Sequence, residues 1–85
     1  MTYQIELRPA ALRALRALPA KERQRLGQKI DELKNEPRAH GVEKLMGREN
    51  RYRVRSGDYR IVYEIHDQVL LVVVLQVGHR REIYR

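Results

Sequence analysis

The stretch Arg51-Tyr52-Arg53-Val54-Arg55-Ser56-Gly57-Asp58-Tyr59-Arg60 decides how the chain folds. Side chains along a strand alternate between two faces. Arg51, Arg53 and Arg55 therefore share one face, and Tyr52 and Val54 share the other. Ser56-Gly57-Asp58 supplies turn chemistry, with Gly57 free to take positive φ. A second strand leaves the turn as Tyr59-Arg60-Ile61-Val62-Tyr63-Glu64-Ile65. Its apolar set is Tyr59, Ile61, Tyr63 and Ile65, which leaves Arg60 on the opposite side. A hairpin brings the two apolar faces into one core. Arg60 then joins the three arginines of the first strand, and four guanidinium groups line one side of one hairpin. Like charges at this spacing repel and do nothing for folding. A polyanionic ligand explains them.

Working outward, Val69 to Val77 is an almost unbroken apolar run, expected to form a central strand covered on both faces, with Asp67-Gln68 as the tight turn before it and Gly78 breaking it. Upstream, Thr2 to Leu7 alternates Tyr3, Ile5 and Leu7 against polar neighbours and reads as a half-buried strand. Pro9 suits a first helical position. Ala10 to Leu18 places Ala11, Leu15 and Leu18 at helical spacing until Pro19 interrupts. Ala20 to Glu36 carries Leu26, Ile30 and Leu33 as one apolar stripe, extended by the stem of Arg23, and Pro37 stops it. Arg38 to Asn50 reads as irregular, with Val42, Leu45 and Met46 tucked beneath the sheet. The order β-α-α-β-β-β indicates an α+β fold: a small antiparallel sheet with a two-helix hairpin on one face. Residues 1–85 are expected to form a single domain.

The 85 residues carry a net charge of +7, with fourteen arginines and four lysines. That balance predicts nucleic acid or an acidic protein as partner. Arginine's planar fork matches phosphate oxygens. No basic amphipathic helix with aromatic anchors argues for membrane binding. Cysteine is absent, which excludes disulfides and thiolate metal sites. No secretory leader is expected after Met1, and a cytoplasmic setting fits. Phosphate loops, metalloprotease pairs and nucleophile elbows are missing, and His40, His66 and His79 lack metal-ligand spacing. No metal or cofactor is expected. What remains suits one reaction, attack of an RNA 2′-hydroxyl on its own adjacent phosphate. It needs alignment, charge stabilisation and two proton transfers.

Tyr59-Arg60-Ile61-Val62-Tyr63 ahead of an apolar strand, and Val77-Gly78-His79-Arg80-Arg81-Glu82-Ile83-Tyr84 at the C-terminal end, resemble the RelE family of toxin–antitoxin ribonucleases, within the RelE/ParE superfamily. The resemblance covers the whole chain. It implies a ribosome-dependent endoribonuclease that cuts mRNA in the A site, and a cognate antitoxin as partner. It assigns Arg60 to the reacting phosphate, Arg80 to the transition state or leaving group, and Tyr84 to the cut nucleotide. Arg51 and Arg53 match strand positions that are often lysines in the family. Arg53 is placed with the catalytic set, and Arg48, Arg51, Arg55 and Arg81 with RNA binding. Arginine does not deprotonate. The proton transfers therefore fall to Tyr84 or His79, or orientation and charge stabilisation suffice. Two other readings compete: a ParE-like gyrase poison, which is not an enzyme, and a non-catalytic RNA-binding module.

Overall fold

A computed structural model describes residues 2–39, 41–47 and 50–79. Its elements are β1 (Gln4–Leu7), α1 (Pro9–Arg16), α2 (Ala20–Glu32), β2 (Val42–Lys44), β3 (Arg51–Ser56), β4 (Tyr59–His66) and β5 (Leu71–His79). The strands form one sheet in the order β1-β5-β4-β3-β2. The α+β class and the helix pair agree with the sequence reading. The sheet itself is mixed, because β1 runs parallel to β5 while every other pair is antiparallel. The helices between β1 and the hairpin carry the chain back across the sheet, and that crossover is what permits parallel pairing.

The hairpin forms in the expected register, with Tyr52 opposite Tyr63 and Val54 opposite Ile61. Gly57 and Asp58 make a two-residue loop, and Gly57 takes φ +61°. Positive φ at the first central residue alone is the type II′ signature, whose twist matches that of the strands.

The core lies between the sheet and the helices. Val54, Ile61, Tyr63, Ile65, Val72, Val74 and Val77 meet Ala11, Leu26, Ile30 and Leu33. Leu26, Ile30 and Leu33 are thus the buried stripe that their spacing indicates. Arg23 plays a different part from the one expected. It is exposed, and its guanidinium reaches the carbonyls of Arg16 and Leu18, at 3.5 and 3.4 Å, beyond the end of α1. It supplies donors to acceptors that a helix C-terminus leaves open.

Several details differ from expectation. Helix α2 ends at Glu32, and looser turns with backbone bonds from Leu33, Lys34 and Asn35 carry the chain to Pro37. Proline disfavours the helical conformation in the residue before it, which fits a helix that ends ahead of Pro37. The segment read as irregular contains β2, which pairs with β3 through Val42–Val54, Glu43–Arg53 and Lys44–Tyr52. Val42 and Leu45 are half-buried, but Met46 is 97% exposed, because the chain has already turned away from the sheet there. Finally, Asp67–Val69 forms a 3-10 turn, Leu70 adopts φ +51°, and β5 starts at Leu71. It runs through Gly78, which pairs with Arg60, so Gly78 does not break the strand.

A bulge explains how β5 serves two faces. Val62 pairs with Gln76 but Tyr63 pairs with Val74, so Leu75 is the extra residue. Strict alternation after Val72 and Val74 would send Gln76 into the core and Val77 out. The bulge re-phases the strand. Val77 returns to the core opposite Ile61, and Gln76 and Gly78 turn to the arginine face.

A polar clamp ties the ends of the sheet together. Arg38 donates to both carboxylate oxygens of Asp67, at 3.0 and 2.7 Å, and Tyr3 donates to the same group at 2.6 Å. Arg38 also lies over the ring of Tyr52, which stacks on Tyr63. Tyr63, fully buried, donates its hydroxyl to the Pro37 carbonyl at 2.6 Å, so its role is in the core. The Arg38 and Tyr3 hydrogen bonds hold the Asp67 carboxyl down at about 2, below its ordinary value of 3.8. A lowered folded-state value stabilises the fold above the unfolded-state pKa, and that contribution disappears as pH falls through the folded one. Between about pH 4 and pH 2 the domain is expected to lose stability, and Asp67→Asn is expected to flatten that part of the curve. Urea midpoints across this range are the measurement. An unchanged slope in the variant would show that Asp67 is not the group responsible.

Candidate phosphate-binding site

Cross-strand register places the arginines. Arg55 lies directly opposite Arg60, Arg53 opposite Val62 and Arg51 opposite Glu64, all on the face away from the helices. The four share a surface, as the alternation requires, but they do not act as one group. Arg51 turns to the far end, where it donates to Glu64 at 3.1 Å, and His66 contacts the other Glu64 oxygen at 3.0 Å. Burial pushes the Glu64 carboxyl up, but Arg51 and His66 outweigh it and hold the group below its ordinary value. Arg51 is therefore committed to an ion-pair cluster.

Arg53, Arg55 and Arg60 converge instead. With Gly41, Val42 and Glu43 they line an open cleft of about 410 Å³. Arg60 forms its floor and is only 5% exposed, whereas Arg55 stands at the rim in solvent. Across from Arg60 on β5 stands Gly78, which adds no side chain at that register position. Arginine stays protonated even when buried. A charge held in a partly desolvated recess acts on an incoming anion more strongly than it would in water.

The wall facing the arginines comes from β2. Glu43 is the register partner of Arg53, and their side chains form an ion pair within the cleft. The hydrogen bond from Arg53, then its charge, holds the Glu43 carboxyl below the ordinary value, with Arg55 and Arg60 adding to the effect. The sequence reading passed over Glu43 because its segment looked like loop. The available signal was the short alternation Val42-Glu43-Lys44 between Gly41 and Gly47.

His79 ends β5 opposite Tyr59, with its ring edge-on to the tyrosine at 5.7 Å between centroids. Tyr59 packs against the core, so His79 shares the helix-side face and points away from the arginines. That geometry removes His79 as the group that handles protons in the cleft. Arg48, Arg80, Arg81 and Tyr84 lie outside the described residues. Among the described residues, no cluster of three or more His, Cys, Asp or Glu is arranged to hold a metal ion. No helix among them is long and apolar enough to cross a membrane.

Comparison with known proteins adds what geometry alone does not. Residues 5–84 match the family model for the ParE toxin of the type II toxin–antitoxin system parDE. The chain is 34% identical to the mRNA interferase toxin RelE of Escherichia coli (strain K12), over 99% of this chain and 92% of that protein. The chain belongs to the RelE/ParE toxin superfamily, in its RelE branch.

Solved RelE structures superpose closely on this chain. The archaeal RelE–RelB complex from Pyrococcus horikoshii OT3 aligns with a TM-score of 0.83 and 30% identity, covering 94% of this chain and 97% of that one. The isolated E. coli RelE toxin aligns at 0.81 with 31% identity, over 96% and 90% of the two chains. On this RelE frame the arginine cleft occupies the sheet face that the helices leave uncovered.

Proposed function

We propose that the chain is the toxin of a type II toxin–antitoxin pair and an endoribonuclease that cuts mRNA in the ribosomal A site. The observation that carries this reading is the convergence of Arg53, Arg55 and Arg60 on one open cleft in a RelE-branch chain. The 2′-oxygen attacks the adjacent phosphorus, and the bond to the 5′-oxygen breaks. The products are a 2′,3′-cyclic phosphate and a 5′-hydroxyl. The 2′-hydroxyl gives up one proton and the leaving oxygen gains one. Charge builds on the non-bridging oxygens in between, and neutralising it is the role assigned to Arg60 and Arg53. Fixed guanidinium groups need no reorganisation at that moment, so they favour the transition state over the ground state. DNA lacks the nucleophile, so the chemistry is restricted to RNA. An antitoxin protein covers the toxin in the cell. Solved structures of relatives, including the intact E. coli RelBE toxin–antitoxin complex, support that partner. Ribosome, mRNA and toxin meet in the cytoplasm.

The test is addition of the purified protein to programmed ribosomes, with mapping of mRNA ends. New ends at the A-site codon are expected, and intact message at stoichiometric toxin would overturn the assignment. The second reading, a gyrase poison, draws on the ParE name of the matching family model. Inhibition of DNA supercoiling, with message left whole, would establish it instead.

A further inference from the structure

Glu43 places a carboxylate among three guanidinium groups that the proposed function gives to RNA. It sits on the edge strand β2, with its side chain 68% exposed, and it pairs with Arg53 where both line the cleft. Nothing in folding requires this arrangement, since exposed pairs of this kind contribute little to stability. Its consequence is for binding. A carboxylate and a phosphate present similar paired oxygens to a guanidinium fork.

We infer that Glu43 is a specificity-determining residue, an internal anion that occupies the arginine cleft until RNA phosphate displaces it from Arg53. Competition follows from the geometry. An RNA phosphate that takes the Arg53 nitrogen held by Glu43 separates the pair, and the freed carboxylate then faces a second negative charge. Both effects weaken binding of RNA that arrives from solution. RNA held in place by another body, at high effective concentration, overcomes the same penalty. Glu43 thus restricts the nuclease to presented RNA, an inference that rests on the nuclease reading for its biological meaning but not for its binding test.

The depressed carboxyl of Glu43 agrees with this role, because it keeps the internal anion charged at neutral pH. It also leaves the group a weak base, since proton acceptors work best with a pKa near the operating pH. Release from Arg53 by phosphate would raise it, so a proton-accepting role is a distinct outcome that the experiment must separate.

The probe is a short fluorescent single-stranded RNA carrying 2′-O-methyl groups, which binds but cannot be cut. Glu43→Gln is expected to bind it about fivefold more tightly, the effect of removing one competing exposed ion pair. The plot of log affinity against log salt is expected to steepen by up to about 0.7, because binding no longer frees a carboxylate that takes up a cation. Glu43→Ala is expected to behave the same way. Both variants are expected to raise cleavage of free, unmodified RNA relative to their own cleavage on ribosomes. Equal or weaker binding with an unchanged salt slope would overturn the inference. Loss of ribosomal cleavage in both variants would overturn it in favour of Glu43 as the proton acceptor. If wild type fails to cut on ribosomes, the nuclease assignment falls, while the binding comparison still decides whether Glu43 competes with phosphate.

Discussion

Arg60→Ala is expected to lower single-turnover mRNA cleavage on programmed ribosomes by about 10²- to 10³-fold, while the far-UV circular dichroism of the domain stays unchanged. The magnitude is that of removing one preorganised donor from a site where charge develops. Arg60 is the deepest of the three cleft arginines, and its position on β4 between core residues fixes it more firmly than Arg55 at the rim. Its side chain leaves the sheet on the face away from the helices, so its removal opens the cleft rather than the core. Arg60→Lys separates charge from shape. Lysine keeps the charge but lacks the planar fork, and is expected to recover no more than about a tenth of the lost rate. Wild-type cleavage by folded Arg60→Ala would remove Arg60 from the mechanism. If the alanine variant unfolds, the lysine variant still reads the role, because it retains a buried cation.

Leu26→Ala is expected to cost about 2–5 kcal/mol of unfolding free energy. Leu26 is completely buried and joins α2 to the sheet as the first residue of the stripe Leu26, Ile30 and Leu33. Truncation removes its transfer free energy and leaves a cavity that the flanking helix and strands fill only in part. A domain of this size holds roughly 5–15 kcal/mol in all, so the loss is a large share. A fall in melting temperature of about 10 °C or more follows from the entropy of unfolding of a small domain. Urea and thermal denaturation measure it. Met46→Ser is the matched control, since Met46 stands in solvent, and is expected to stay within about 0.5 kcal/mol. A shift for Leu26→Ala no larger than the control's would contradict the packing described.

These two substitutions also mark what could be read from the chain alone. Strand alternation in Arg51 to Ile65 was sufficient to place Arg60 beside Arg53 and Arg55, because a hairpin leaves only one register that buries Tyr52, Val54, Ile61 and Tyr63 together. Helical spacing was sufficient for Leu26. The division of the arginines was not legible, because it depends on partners from elsewhere: Glu64 and His66 draw Arg51 away, and Glu43 draws Arg53 in. Edge strand β2 was missed because three residues carry too little periodicity to stand out. The parallel pairing of β1 with β5 left no mark in either strand, since a half-buried edge reads alike in both directions. The β5 bulge was foreshadowed by Gln76 interrupting the apolar run, and only the pairing with β4 shows that the interruption re-aims Gly78 toward Arg60.

The pairing of β1 with β5 bears on how the protein comes into being. The first strand finds its neighbour only in residues far along the chain, with Gln4 alongside Leu71 and Leu7 alongside Val74. Such distant closure is slow compared with helix or hairpin formation. While the polypeptide is being made, the inner side of β4 has helices to lie against but no β5 to zip onto. The finished sheet therefore assembles only after Leu71 to His79 has been synthesised. A toxin of the RelE branch is in this way kept from closing its sheet until the stretch that pairs with its first strand has itself been translated.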